Sequence, residues 1–370
     1  MRISALDPIP LAGGGKQGAY GAPYGLVVRV TTDAGIIGYG ETDSMPSVVK
    51  AIIEAPFVHE MMSGLKWVLL DRDPLDVEAR WADMTTATLN YSRDGATLEA
   101  MAAIDLALWD IRGKAVGAPV YELLGGARRK TLRCYATHPL GRNLEETSRF
   151  ASSLRDQGFS AVKFGWRPLG QDPVQDEAIV RCLRRAIGQH VDLLIDAGLA
   201  WDVDTALERI RQFEPYQLFW LEEPISAYDF EGYKKLTAES RTPIAAGELA
   251  SSSVELSRLV EQQCVHVLQV DVSRVGLTQA MKIAQFAADR GIPCVNHSYT
   301  YGISLAASLH FAAAIERTSL FEYQATPNEM RDVLTPDMPK PADGILAVPE
   351  GAGLGIDVDE DALCRFAVVS

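Results

Sequence analysis

Six ionisable residues recur along the chain at nearly one interval. Asp196, Glu222, Glu248, Asp271, His297 and Glu322 stand 26, 26, 23, 26 and 25 residues apart. Each closes, or nearly closes, a short apolar run: DLLIDA (192–197), LFWLEEP (218–224), PIAAGE (243–248), VLQVD (267–271), PCVNH (293–297) and LFEYQ (320–324). Runs this short suit strands buried on both faces, and acids are rarely buried without a partner. Helix capping accounts for one such acid. It accounts poorly for six in succession, all able to ligate metal or move protons, because caps more often use Ser, Thr or Asn.

The residue types define a chemistry. Asp196, Glu222 and Glu248 form an all-oxygen set of hard ligands, suited to Mg²⁺ with Mn²⁺ as the alternative. Packed together without a cation, each would raise its neighbours' pKa. Zinc fits less well, since the HxH and HExxH spacings of hydrolytic sites are missing. His297 is the candidate base, with Asp271 on the preceding strand to hold one ring nitrogen. Lys163, in the apolar run AVKFG (161–165), faces the same mouth from roughly the opposite side. Glu322 completes the ring and, if protonated, could donate a hydrogen bond to a substrate oxygen. Such a set suits removal of the proton α to a carboxylate, where a cation and an acid stabilise the developing ene-diolate charge.

The elements that position these residues follow from the same period. RCYATH (133–138) and AVKFG bring the apolar runs to eight. Between them lie stretches of helical periodicity such as LEETSRFASSLRDQG and LTQAMKIAQFAADRG, with Gly158 and Gly291 as helix stops. Strands alternating with helices imply right-handed βαβ units, and eight of them a (β/α)8-type, TIM-like barrel over residues 126–325. All six ionisable residues then share its C-terminal rim. Residues 1–125 read as an α+β capping domain: PYGLVVRVTTDAGIIGYGET (23–42) is a hairpin around Asp-Ala-Gly, and a long helix starts near Leu98. The glycine-rich stretch 11–25 suits a lid over the mouth better than a phosphate loop. Residues 326–370, rich in Pro, Gly and Asp, are expected to return to the cap.

Composition excludes several function classes. A net charge of −14 leaves no basic excess for nucleic acid. No run approaches eighteen apolar residues, so no membrane span is expected, and the N-terminus lacks a secretory layout. The five cysteines lie far apart without a CxxC, which fits buried thiols in a reducing cytoplasm. The expected partner is a small-molecule carboxylate.

The chain resembles the mandelate racemase subgroup of the enolase superfamily over essentially its whole length. The resemblance rests on IIGYGET (36–42), AAIDLALWDIRGKAVGAPVYELLGG (102–126), LLIDAG (193–198), WLEEP (220–224), AAGE (245–248), LQVDVSRVGL (268–277) and CVNHSYT (294–300). It implies Asp196, Glu222 and Glu248 as Mg²⁺ ligands, Asp271 and His297 as the dyad that defines the subgroup, Glu322 as the acid near the substrate carboxylate and Glu223 as a supporting residue. It also implies a homo-oligomer, dimer or octamer. Two positions depart from the subgroup. Its racemases carry Lys-x-Lys on the second strand, the second lysine acting as a base; here the triplet is Lys163-Phe164-Gly165. Gly198 replaces the usual asparagine two residues after the first ligand.

With one supported base, the expectation is a Mg²⁺-dependent acid-sugar dehydratase. His297 would remove the C2 proton of an aldonate or aldarate and return it to the departing 3-hydroxyl, giving a 2-keto-3-deoxy acid. The alternative is a racemase or epimerase of a 2-hydroxy or amino acid. A muconate-type cycloisomerase, which resembles lysine-based sites without this dyad, fits less well, as do a metallohydrolase and a non-catalytic binder. Selectivity is expected from segments 11–25 and 43–46 and from Trp166, Arg167, Asn296, Tyr299 and Tyr301.

Overall fold

Two prolines conceal the first strand. In the computed structural model, which describes residues 1–13, 24–299, 301–318 and 320–368, β1 (Ile3–Ala12) pairs antiparallel with β2 (Tyr24–Thr32) despite Pro8 and Pro10. Proline removes a ladder donor and is tolerated at an edge. β1 is such an edge, in a sheet ordered β1-β2-β3, with β3 (Ile37–Thr42) on the far side of the expected hairpin. Residues 14–23, the middle of the glycine-rich stretch, lie outside the described residues.

After α1 (Pro46–Glu54), α2 (Leu65–Leu69) and α3 (Val77–Thr88), the long helix α4 (Ala96–Val116) covers the sheet. The approach is close: a Cβ on Gly40 of β3 would lie 1.7 Å from the Ala103 carbonyl oxygen, so only glycine lets this helix seat. A short α5 (Val120–Leu123) leads into the barrel.

The barrel runs β4 (Thr131–Pro139), α6 (Leu144–Asp156), β5 (Ala161–Gly165), α7 (Pro173–Ile187), β6 (Asp192–Asp196), α8 (Val203–Phe213), β7 (Leu218–Glu222), α9 (Phe230–Glu239), β8 (Ile244–Ala246), α10 (Ser253–Glu261), β9 (Val267–Val270), α11 (Val272–Ala288), β10 (Cys294–Asn296), α12 (Gly302–Ala314) and β11 (Phe321–Gln324). The eight strands are parallel in the order β10-β9-β8-β7-β6-β5-β4-β11. A separate inner cluster takes one side chain from each strand region: Tyr135, Ala161, Leu194, Trp220, Ala245, Val267, Val295 and Leu320. It packs the barrel interior as a floor under the mouth.

Helix capping and strand-tip chemistry are largely divided between different residues. Asn143, Asp172, Asp202, Asp229 and Ser252 cap α6 to α10 from the loops. The acids at the tips of β6 and β7 are thereby left free for the mouth. Asp271 is the exception: its side chain caps α11 as well as facing His297.

The ring closes between β10 and β11 through a side chain. Asn296 Oδ1 accepts the Glu322 N–H at 2.9 Å, in full burial. Asn296, expected at the substrate, therefore serves barrel closure.

Two buried acids dock the cap to the barrel. Glu41, at the end of β3, accepts the backbone N–H groups of Tyr301, Ile303 and Ser304 at 2.7, 3.0 and 3.2 Å, capping α12. Asp105 of α4 accepts the Thr278 N–H at 2.9 Å just past Gly276, whose φ of 74° breaks α11. Burial pushes both carboxyls up to about 7, against the lowering pull of these hydrogen bonds. Beyond the barrel come α13 (Glu329–Leu334), β12 (Ile345–Ala347), antiparallel to β4, and α14 (Glu360–Phe366). Glu360 meets Arg29 at 3.0 Å, and the Val368 N–H reaches the Pro10 carbonyl at 2.9 Å, so this segment lies against the cap sheet. No described helix is long and apolar enough to cross a membrane. All five cysteines are free thiols, but only Cys134, Cys264 and Cys294 are buried as expected; Cys182 is half-buried and Cys364 exposed, both on helices facing away from the core.

Replacing Asn296 with Leu should orphan the buried Glu322 N–H and lower the unfolding free energy by about 1–3 kcal/mol. Urea denaturation of the two proteins measures this; an unchanged midpoint would show that the closure does not depend on the amide.

Candidate active site

A cavity of about 240 Å³ opens at the C-terminal rim. Of the residues singled out in the sequence, Lys163, Trp166, Asp196, Glu248, His297, Tyr299 and Glu322 line it. Glu222 is fully buried beside them, and Asp271 stands behind His297. Asn296 and Tyr301 are not among the lining residues; the Tyr301 ring lies against Gly25 of the cap sheet. Asp43, Thr137, His138 and Arg274 also line it. Position alone could have flagged two of these: Arg274 follows Asp271 by one helical turn, and His138 ends a barrel strand.

His297 and Asp271 form a tight pair, with Nδ1 to Oδ2 at 2.6 Å. The other Asp271 oxygen accepts from the Ser273 N–H at 2.7 Å and its hydroxyl at 2.6 Å, which fixes the carboxylate. Hydrogen bonding holds the Asp271 pKa below its ordinary value even though burial opposes this. An ionised Asp271 accepts, so Nδ1 of His297 carries a proton and Nε2 is the atom left for chemistry. Nε2 lies 3.4 Å from Glu248 Oε2. Burial pulls the His297 pKa down, but Glu248, Glu322 and Asp271 together push it up to about 10.

Lys163 is already committed. Its ammonium pairs with Glu222 and, at 2.8 Å, with Glu322 Oε1. Burial opposes the charge, yet the two carboxylates hold the pKa well above its ordinary value. Glu322 in turn stays below the usual glutamate range against the effect of burial, through Lys163, His297 and the Ser298 N–H at 2.9 Å. These partners favour the ionised, accepting form of a carboxyl that the sequence suggested as a possible hydrogen-bond donor. The donor beside it is Lys163.

The remaining acids are short of positive charge. Burial raises Asp196 to about 7 and Glu223 to about 8, with nearby carboxylates adding to it, and raises Glu248 well above its ordinary value. Asp196 accepts from the Gly198 N–H at 2.9 Å and the Trp166 indole at 2.8 Å, while Glu222 accepts from the Trp220 indole at 3.0 Å. Glu248 Oε2 is buried with no hydrogen-bond partner among the described residues. Among the described residues no three His, Cys, Asp or Glu side chains converge as a closed metal set, because Glu222 is turned to Lys163 and Trp220. The donor chemistry nevertheless fits a hard divalent cation: oxygen ligands only, mutual repulsion, and an orphaned carboxylate oxygen.

The two departures at Gly165 and Gly198 are one structural feature. Gly165 pairs with Asp196 across β5 and β6, and a Cβ there would lie 2.2 Å from the Asp196 carbonyl oxygen. Trp166 follows with φ of 66°, and its indole lies over Gly198, where a Cβ would sit 3.2 Å from the ring. Small residues on both strands therefore seat an indole on Asp196, and a lysine at 165 has no space.

Comparison with known proteins agrees with this geometry. Residues 7–125 match the mandelate racemase/muconate lactonizing enzyme N-terminal domain, and residues 146–362 match the enolase C-terminal domain-like model. The chain belongs to the mandelate racemase/muconate lactonizing enzyme family of the enolase superfamily. Among relatives in this family, the D-galactarolactone cycloisomerase of Agrobacterium fabrum is 30% identical over 92% of this chain and 90% of its own length. The D-galactonate dehydratase of Xanthomonas oryzae pv. oryzae is 32% identical over 94% of this chain and 92% of that protein. The crystal structure of the 3,6-anhydro-D-galactonate cycloisomerase from Zobellia galactanivorans superposes with a TM-score of 0.91 at 31% identity, covering all of both chains. The family fold, a barrel with an N-terminal cap, is the one described above.

The Gly165 contact makes a stability prediction. Gly165→Ala must push β6 away from β5, costing about 1–3 kcal/mol for an overpacked interior. Thermal unfolding should show a lower midpoint; an unchanged midpoint would mean the strands can part freely.

Proposed function

We propose that this chain is a sugar-acid dehydratase that abstracts the proton α to the carboxylate and expels the 3-hydroxyl, giving a 2-keto-3-deoxy acid. One observation carries the reading: among the described residues the cavity offers one imidazole backed by a carboxylate, His297, and no second base on the facing strand. His297 Nε2 is backed by Asp271, whereas the facing strand offers Gly165 with no room for a side chain and Lys163 locked between two carboxylates. In the proposed sequence a cation held by Glu248 would offset the largest contribution raising the His297 pKa, so that neutral Nε2 takes the C2 proton and Asp271 stabilises the imidazolium. The Lys163 ammonium faces the oxygens that gain charge. The imidazolium then protonates the departing hydroxyl, water leaves, and the enol tautomerises to the ketone. The D-galactonate dehydratase relative supports this class.

Asp196, Glu222 and Glu248 would hold Mg²⁺, with Mn²⁺ as the alternative. Bound there, the cation supplies positive charge against the substrate carboxylate as the α-proton leaves. Two indoles hydrogen-bond to the first two of these carboxylates, so Mg²⁺ added without substrate should change the tryptophan fluorescence saturably. Asp196→Asn should abolish that change, and a flat titration of the unaltered protein would count against the assignment.

A second reading has specific support: two of the similar proteins are named cycloisomerases. There the same proton abstraction would expel a ring oxygen instead of a hydroxyl. Proton exchange at C2 without elimination needs a base on each face and is less favoured here.

With the identified acid, His297→Asn should lower kcat by about 10²–10⁴-fold or more while moving KM little. Full activity in that variant would remove the proposed base. Deuterium appearing at C2 of recovered substrate in D₂O, with no keto product, would assign proton exchange instead.

A further inference from the structure

A cation on the cavity lining, Arg274, makes no side-chain hydrogen bond among the described residues. It stands in the first turn of α11, three residues after Asp271. Its Nε is buried without a partner, yet 22% of the side chain is exposed, so the group is not sealed off. Three carboxylates stand around it without bonding to it: Asp43 at 3.7 Å, and Glu99 and Asp271 at 3.9 Å. Asp43 follows β3 and also lines the cavity. Asp271 Oδ2, the oxygen 3.9 Å from Nε, is the one that His297 Nδ1 holds. These neighbours place the guanidinium at the mouth, on the seam between cap and barrel.

A simple clamp between cap and barrel would look different. Glu41 and Asp105 take backbone N–H groups at ordinary hydrogen-bond length, and the buried Arg184 gives four hydrogen bonds to backbone carbonyls at 2.7–3.0 Å. The separations about Arg274 exceed a hydrogen bond, and they let a third oxygen lie within reach of donor and acceptor together. Burial opposes the Arg274 charge, but Asp43, Asp271, Glu99 and Glu248 hold its pKa above the ordinary value, so it remains a donor. Burial pushes Asp43 up, with Arg274 the strongest influence holding it down; in either protonation state it keeps an oxygen able to accept. A second substrate carboxylate fits this corner poorly, because one guanidinium already faces three acids. A hydroxyl fits, since it can accept from Arg274 and donate to Asp43 at once.

We propose that Arg274 and Asp43 form a specificity pair, bridged by one substrate hydroxyl on carbon 4 or beyond. The substrate class this defines is a polyhydroxy acid whose chain reaches the cap, as opposed to a short or apolar 2-hydroxy acid. The inference rests on the proposed function for one point only, that carbons 2 and 3 are the reacting ones.

Pentonates, hexonates and analogues of each lacking one hydroxyl beyond C3 test the pair. Binding is measured by calorimetry on His297→Asn with saturating Mg²⁺, and turnover on the unaltered enzyme with the same acids. For the tightest-bound acid, removing one particular hydroxyl should weaken binding about tenfold or more, the scale of a hydrogen bond to a charged group. Asp43→Ala, which relieves repulsion in the cluster, should weaken the parent acid and change little for that deoxy analogue, so their affinity ratio falls toward one. Arg274→Met should do the same. A merely structural role would weaken both ligands alike and leave the ratio standing, which overturns the proposal. So does a series in which no hydroxyl matters or no member binds. Glu99 faces Arg274 from outside the lining, and Glu99→Gln should keep the ratio; its collapse there would show that the charge of the cluster is read and not a contact. A hexarate bound more tightly than its matched hexonate, with the preference lost in Arg274→Met, would put a carboxylate in the hydroxyl's place and also overturn the proposal. The expected ratios without any keto-acid product would leave the pair standing and defeat the dehydration reading instead.

Discussion

Lys163 sits in the dry interior of the barrel with a carboxylate on either side, and the rest of the mouth is arranged around that triad. Its partners come from β7 and β11, so one ammonium ties together three strands that are not all neighbours. Buried ion clusters are poor sources of net stability, because desolvation offsets much of the attraction, but removing one member leaves an uncompensated charge. Here the cluster fixes protonation states. Lys163 is held toward its charged form and Glu322 toward its ionised form, and among the described residues His297 is the cavity-lining imidazole with a carboxylate behind it. The same accounting leaves Asp196, Glu223 and Glu248 short of positive charge, the electrostatic counterpart of a cation site.

Much of this was legible because parallel barrels write themselves plainly. Strands buried on both faces appear as short apolar runs, and the helix between them sets an interval near twenty-five residues, so all eight strands and the ionisable tips could be placed by spacing. The legible part ends where a residue's role depends on which wall it faces. Asn296 precedes His297 directly, yet alternation along the strand turns it to the neighbouring strand, where it closes the ring. Tyr301 belongs to the start of α12 and packs against the cap. The ionisation of Glu322 depends on a lysine 159 residues away in sequence, a contact no local pattern encodes. β1 was missed for a local reason, its prolines, which only an edge position excuses.

The cap is joined to the barrel by acids of a different kind. Glu41 and Asp105 each receive backbone N–H groups at the start of a helical segment in the other part of the chain. Both look like site carboxylates on paper: buried, isolated and shifted upward. Their partners are backbone amides and, for Asp105, the Thr278 hydroxyl, which makes them structural. Burial and a raised pKa therefore mark a candidate only when the facing groups are also ionisable or open to the cavity.

The nesting of Trp166 between Gly165 and Gly198 has an evolutionary consequence. A descendant seeking a second base on this face could not gain it by one codon change, because a side chain at 165 collides with the β6 backbone while the indole still covers Asp196. The indole, the glycine beneath it and the strand spacing would have to change together, and each intermediate would carry a misfitted interior. Under the proposed single-base reading, epistasis among three neighbouring positions holds the chemistry to one face, so diversification is easier through residues that recognise the substrate than through how the proton moves.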